Sequence, residues 1–128
     1  MIIAVDFDGT CVDHRYPLVG PTAPSAVKVM KALVSEGNGL ILWTMRSGDE
    51  LVEAVEWFSE RSIPLYGIQK NPTQGSWTAS PKCYANVYID DAAFGAPMIH
   101  PEGFARPCID WRHVYMVLVK GCAAEKAV

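Results

Sequence analysis

The sequence predicts an α/β protein with a central parallel sheet, and three observations support this prediction. Short apolar runs such as Met1–Val5 and Gly39–Trp43 recur along the 128 residues, and continuous apolar runs are typical of strands covered on both faces. Longer amphipathic segments stand between these runs and carry the periodicity of helices. Strands that alternate with helices favour a parallel sheet with right-handed crossovers.

In the first half of the chain, Met1–Val5 is the first predicted strand. Ser25–Glu36 follows as a helix that Gly37 ends, with an apolar stripe formed by Val27, Met30 and Val34 and with Leu33 beside it. Gly39–Trp43 is the second strand. Ser47 opens the next helix with Glu50 at the spacing of a capping box, and its predicted inner face consists of Leu51, Ala54, Val55 and Phe58.

The second half contains more turns. Ile63–Ile68 is predicted as a short strand, Lys70–Lys82 as a loop, and Asn86–Ile89 as the last strand of the sheet. Asp110 is expected to cap a final helix whose inward side chains are Trp111, Val114, Tyr115 and Leu118. We expect one domain over residues 1–122 and a frayed tail over 123–128.

Composition indicates the general class of protein. Hydrophobic residues make up 50% and charged residues 20% of the chain, which is typical of a globular domain. The net charge of -3 gives no electrostatic reason to expect binding to nucleic acid or to a membrane surface. The first residues lack the basic segment of a signal peptide. We therefore expect a cytoplasmic protein whose four cysteines are reduced.

Acidic residues follow two of the predicted strands directly. Asp6 and Asp8 come after the first strand, Asp90 and Asp91 come after the last, and Thr44 follows the second. The carboxyl ends of parallel strands line one crevice, where ligands bind. Carboxylates gathered there repel one another unless a cation lies between them. Oxygen ligands of this kind suit Mg²⁺, so the sequence predicts a magnesium site.

Four segments in their order along the chain, DFDGT, LILWT, the lysine of SPKCYANVYIDD and the acid pair of YIDD, resemble the four motifs of the haloacid dehalogenase (HAD) superfamily. The resemblance extends from Met1 to about Gly95. Ile109–Trp111 is also similar to a feature of small HAD-like hydrolases from bacteria and phages. The resemblance implies a three-layer, Rossmann-like fold with Mg²⁺ as cofactor. No cap domain is expected, because the gap Cys11–Pro24 is too short for an additional domain and the gap Met45–Pro81 is largely used by one helix and a short strand.

The resemblance implies catalytic roles for four residues. Asp6 matches the nucleophile that attacks phosphorus and forms an aspartyl phosphate. Asp8 matches the general acid that protonates the leaving oxygen and then activates water. Thr44 matches the hydroxyl that binds the transferred phosphoryl group, and Lys82 matches the lysine that pairs with the nucleophile and the phosphate.

The resemblance also implies a set of metal ligands. Asp90 matches a direct ligand of Mg²⁺, together with Asp6 and the backbone carbonyl of Asp8. Asp91 would hold a metal-bound water or Lys82.

For substrate binding we predict the hydroxyl of Thr44, the backbone amides of Gly9 and Thr10, and the side chain of Arg46. Arg46 directly follows Thr44, and a guanidinium group suits phosphate. Further candidates for contacts with the substrate are His14, Arg15 and Trp77.

The predicted function is therefore a Mg²⁺-dependent phosphatase that hydrolyses phosphomonoesters. Asp8 favours this reaction over dehalogenation, because a halide leaving group needs no proton. The alternatives are phosphoryl transfer to another acceptor, as in a mutase, a receiver-like signalling domain, and a binding domain without activity. The substrate class stays open among sugar phosphates, nucleotides, polynucleotide ends and phosphoproteins. An open crevice also favours a homo-oligomer in which a neighbouring subunit supplies a lid.

Overall fold

The computed structural model describes residues 1–121. Its main sheet has four parallel strands in the order β3-β2-β1-β4. The strands are β1 (Ile2–Val5), β2 (Gly39–Leu42), β3 (Gly67–Ile68) and β4 (Val87–Ile89). This arrangement confirms the predicted α/β class with a parallel sheet. The predicted tail 123–128 and Cys122 lie outside the described residues.

Two longer helices connect the first three strands. These are α1 (Ala26–Ser35) and α2 (Gly48–Glu60). A short helix α3 (Trp111–Val114) continues as a π-helical segment, Tyr115–Lys120. Asp110 caps α3 as predicted, because its carboxylate accepts from the backbone amides of Arg112 and His113. Ser47 precedes α2 but its side chain makes no capping hydrogen bond, so the predicted capping box does not form.

The helices pack on one face of the sheet. Ile3 and Val5 of β1 lie opposite Leu40 and Leu42 of β2 in the register of the strands, so these four side chains point the same way. They belong to one hydrophobic cluster with the buried side chains of the helices. The helical members of this core include Val29, Met30, Leu33, Ala54, Trp57, Phe58, Trp111 and Val114.

Trp57 is a core residue that the predicted inner face of α2 omitted. Its ring packs edge-on against Phe7, with centroids 5.6 Å apart, and against Phe58 at 5.0 Å. Two residues of the predicted face, Leu51 and Val55, are only partly buried against the core. The buried stripe of α2 is therefore rotated towards Trp57.

The opposite face is covered by the irregular connection from β3 to β4. Tyr88 is paired with Ala4, and its hydroxyl group donates to the carbonyl of Cys83 in this connection. The connection contains one 3-10 turn, Gln74–Ser76, in agreement with the loop predicted there. No other regular element occurs in residues 69–86 of the described chain.

Two features of the second half differ from the predictions. Strand β3 is shorter than the predicted Ile63–Ile68, because only its last two residues pair with β2. A small antiparallel sheet, β5 (Met98–Ile99) with β6 (Cys108–Ile109), was not predicted. Strands of two residues show no detectable alternation in sequence.

Within the described residues, no helix has the length and apolar character needed to cross a membrane.

Candidate functional site

A crevice of about 530 Å³ opens where β1, β2 and β4 end. It is lined by the four predicted acids and by Thr44 and Arg46, and the additional lining residues are His14, Tyr16, Met45, Ala92 and Arg106. The carboxyl ends of parallel strands converge at this edge. The structure thus brings together both acid pairs, although 82 or more positions separate them along the chain.

Three of the acids form a cluster. Asp6, Asp90 and Asp91 each offer a carboxylate oxygen, and these atoms lie within 4.8 Å of one another. Burial raises the pKa of Asp6 to about 8, and a hydrogen bond with Asp91 and the charge of Asp90 add to this effect. The cluster is therefore short of positive charge. A divalent cation with oxygen ligands fits this set of donors.

Thr10 links two members of the acid cluster, Asp6 and Asp91, through its hydroxyl group. Its hydroxyl group accepts from the backbone amide of Asp91 at 3.2 Å and lies 3.2 Å from Oδ2 of Asp6. The side chain is fully buried. The carbonyl of Thr10 in turn accepts from the indole of Trp111 at 2.7 Å, so α3 fixes the turn that follows β1.

Gly9 permits the close approach of β1 and β4. A Cβ atom at this position would lie 2.4 Å from Oδ2 of Asp91, and the backbone has a φ of +85°. Both conditions favour glycine. The amide of Gly9 donates to Val12 and that of Thr10 to Phe7. These two amides, predicted to bind substrate, are thus engaged within the turn.

Asp8 is held apart from the acid cluster by Arg46. The Nε and Nη2 atoms of Arg46 each donate to one oxygen of Asp8 at 2.8 Å. The remaining donors of the guanidinium reach the carbonyls of Pro17, Leu18 and Glu50. Arg46 is 1% exposed. The structure therefore places this predicted phosphate ligand as a buried partner that orients Asp8.

Thr44 lies at the end of β2 with its hydroxyl on the crevice. Its Oγ1 accepts from the amide of Arg46 at 3.1 Å, which leaves the hydroxyl proton free to donate to a ligand. Gln69 fixes this loop from the neighbouring strand: it accepts from the amide of Thr44 at 2.8 Å and donates to the carbonyls of Thr44 and Arg46.

Gln69 has a φ of +62° and was not predicted as a site residue. It follows β3 directly, so the rule that found Thr44 could have found it. Its role depends on pairing between β2 and β3, which brings its side chain to the backbone of Thr44 and Arg46.

Lys82 lies away from the acids. Its Nζ is 5.8 Å from the centroid of the Tyr88 ring, and it shares a second surface cavity with Trp77 and Tyr84. Trp77 packs edge-on against Tyr84 with centroids 5.5 Å apart. The catalytic role of Lys82 stays a prediction, and in this conformation its ammonium group does not line the crevice.

The remaining candidates divide between the crevice and its surroundings. His14 lines the crevice, whereas Arg15 binds the carboxylate of Asp13. Cys11, Cys83 and Cys108 are free and buried. Burial raises the pKa of Cys11 well above its ordinary value, with further contributions from Asp6 and Asp8. Cys11 is therefore a packing residue in this structure.

Comparison with known proteins gives one informative similarity. No protein family model and no curated protein matches the sequence. A solved structure, that of a conserved protein coded by a locus from Bacteroides thetaiotaomicron, superimposes with a TM-score of 0.77 and 38% sequence identity. The match covers 94% of this chain and 91% of that protein. This chain belongs to the same family as that conserved Bacteroides thetaiotaomicron protein.

Proposed function

We propose that the protein is a Mg²⁺-dependent phosphatase of the HAD type that hydrolyses phosphomonoesters through an aspartyl phosphate. The observation that carries this proposal is the gathering of Asp6, Asp90 and Asp91 within 4.8 Å beside an Asp8 held by Arg46. The order of the motifs DFDGT, LILWT and YIDD along the chain supports the assignment. The proposed fold is the Rossmann-like form without a cap domain, in which the irregular connection from β3 to β4 stands in place of the helices expected for the third layer.

The acid cluster would hold the metal. Its carboxylates supply oxygen donors from two strands, and the backbone carbonyl of Asp8 is a further predicted ligand. Bound Mg²⁺ would neutralise charge on the phosphate and keep Asp6 ionised. The raised pKa of Asp6, caused first by burial and then by its acidic neighbours, supports the need for such a cation.

Asp6 would act as the nucleophile. One of its oxygens forms a bond to phosphorus as the bond between phosphorus and the ester oxygen breaks. Phosphoryl transfer depends mainly on positioning and on stabilisation of charge. Thr10 fixes the carboxylate, since its hydroxyl lies 3.2 Å from Oδ2. Thr44 supplies a hydroxyl proton for an oxygen of the transferred group.

Asp8 would give a proton to the leaving oxygen. It would then take a proton from the water whose oxygen bonds to phosphorus as the bond between phosphorus and Asp6 breaks. Both of its oxygens accept from Arg46 at 2.8 Å. A protonated carboxyl group keeps fewer acceptor positions, so proton transfer at Asp8 requires it to exchange one of these hydrogen bonds for the leaving group. Arg46 therefore orients Asp8 and controls its access to the substrate.

A screen for phosphate release tests this proposal. Purified protein is incubated with phosphorylated metabolites and oligonucleotide ends, with Mg²⁺ and with a chelator. We expect Mg²⁺-dependent release from a phosphomonoester that Asp6→Asn abolishes. Asp49→Asn is the matched control, because Asp49 is an exposed acid of α2 outside the crevice. Release that survives Asp6→Asn, or none from any monoester, would contradict the proposal.

A further inference from the structure

The loop between β5 and β6 borders the crevice and is fixed there by Asp13. Asp13 is fully buried, and its carboxylate accepts from the backbone amides of Ala105 at 2.7 Å and Arg106 at 3.3 Å. Arg15 donates to the same carboxylate at 3.0 Å. A second donor of Arg15 reaches the carbonyl of Gly103 at 2.9 Å. Side chains from the segment after β1 thus hold this loop at two points.

The charge of Asp13 is matched by its donors. Burial alone would raise the pKa of Asp13, but hydrogen bonds from Ala105, Arg15 and Arg106 outweigh burial and lower it. Asp13 is therefore a structural carboxylate with filled acceptor positions. The backbone amide of Arg106 donates to Asp13, and the side chain of Arg106 lines the crevice.

The crevice contains few positive groups for the four aspartates that line it. Among the described residues, Arg46 and Arg106 are the lysine or arginine side chains that line it. Arg46 is buried, and its donors are used by Asp8 and by three backbone carbonyls. Arg106 is exposed. Its guanidinium group forms no hydrogen bond or ion pair with any residue in the range 1–121.

A phosphate that enters this crevice approaches the three clustered carboxylates of Asp6, Asp90 and Asp91, so positive charge in addition to that of a divalent metal would favour its binding. A guanidinium group can donate two parallel hydrogen bonds to phosphate oxygens. The guanidinium donors of Arg106 are free, and the fixed backbone beside it reduces the entropy lost when the side chain binds. Lys82, by contrast, lies against Tyr88 in another cavity.

We propose that Arg106 binds the phosphate group of the substrate and that the loop between β5 and β6 is the recognition element of the open crevice. This inference rests on the proposed function, because it assigns the anion at the same site. The ligand class is a phosphate dianion, either as inorganic phosphate or as a phosphomonoester. Arg106 is a binding residue in this scheme and takes no part in proton transfer.

The test compares Arg106→Ala and Arg106→Lys with the matched control Arg112→Ala, an exposed arginine of α3 that lines a different cavity. Calorimetry with inorganic phosphate in the presence of Mg²⁺ measures affinity directly, and kinetics with an active monoester give kcat and KM. We expect Arg106→Ala to weaken phosphate binding and raise KM by about 10- to 100-fold, as for a charged hydrogen bond. Arg106→Lys should recover part of the loss, and Arg112→Ala should match the wild type.

The inference and the proposed function fail in different ways. The assignment of Arg106 is wrong if Arg106→Ala binds phosphate within twofold of the wild type, or if Arg112→Ala is equally impaired. The proposed phosphatase activity would still stand in either case. A wild-type protein that binds no phosphate at all also overturns it. If phosphate binds through Arg106 but no monoester is hydrolysed, the assignment stands and the proposed function falls.

Discussion

Asp6 and Asp13 lie seven positions apart, and their environments have opposite effects on the same chemical group. The pKa of Asp6 is raised to about 8, first by burial and then by its contacts with Asp91 and Asp90. Asp13 is also buried, yet its pKa is lowered, because hydrogen-bond donors from Ala105, Arg15 and Arg106 outweigh the effect of burial. The difference shows that Asp13 finds enough donors within the protein to stay ionised, whereas burial and the acidic neighbours of Asp6 favour its protonated form unless a cation joins the cluster.

The largest effect is expected at Asp6. Asp6→Asn removes the nucleophile and should lower phosphate release at least about 1000-fold, without loss of stability in a chelator because one acidic neighbour is neutralised. Steady-state kinetics and thermal melts in EDTA measure both effects. Asp8→Asn is the paired variant: it should also lose turnover but keep its affinity for Mg²⁺, since the predicted metal contact is the backbone carbonyl. A substantial fraction of wild-type activity in Asp6→Asn would exclude the covalent mechanism.

At Asp13 the expected effect is on folding. Asp13→Ala leaves the amides of Ala105 and Arg106 without their acceptor and should lower the free energy of unfolding by about 2–4 kcal/mol. Urea denaturation measures this change, and the exposed Asp49→Ala should stay within about 0.5 kcal/mol of the wild type. An Asp13→Ala variant as stable as the wild type would show that the hydrogen bonds of Asp13 do not stabilise the fold.

Within the acid cluster, Asp90 and Asp91 should differ. Asp90 is predicted to bind Mg²⁺ directly. Asp91, by contrast, also accepts a hydrogen bond from the hydroxyl group of the buried Thr10. Asp91→Asn should weaken Mg²⁺ binding by about 10- to 100-fold, as for residues that orient metal ligands, and Asp90→Asn should weaken it more. Calorimetric titrations with Mg²⁺ rank the two variants. The opposite ranking would exchange their roles.

The final prediction concerns the dependence of stability on pH in the metal-free protein. The pKa of Asp6 rises from 3.8 to about 8 on folding, so between these values the folded state binds a proton that the unfolded chain has released. Stability should therefore fall as pH rises from about 4 to about 8. Melts in EDTA at several pH values should show a steeper fall for the wild type than for Asp6→Asn. Equal slopes would mean that Asp6 does not titrate in this way.

The gathering of the acids was predictable from sequence because it needs only local information. Apolar runs identify β1 and β4, and the residue after each run lies at the carboxyl edge of the sheet. Asp6, Asp8 and Asp90 follow from this rule without knowledge of any contact. The same holds for Asp110, whose capping hydrogen bonds reach only two and three residues along the chain.

The orientation of Arg46 was not predictable, because it depends on distant backbone. The guanidinium is drawn inward by the carbonyls of Pro17 and Leu18, which lie 29 and 28 positions away. Arg106 escaped notice for the same reason: Asp13 places it from 93 positions away. No periodic pattern marks such contacts, so sequence identified which residues are charged but not which charges are already paired.

The hydrogen bonds of Gln69 tie the crevice to the edge of the sheet. Strand β3 has two residues and lies at this edge, and short edge segments open locally at a lower free energy than the central strands. Each opening of β3 withdraws three hydrogen bonds from Thr44 and Arg46 together. Arg46 is the residue that holds Asp8. Heating should therefore disorder the crevice before the core melts.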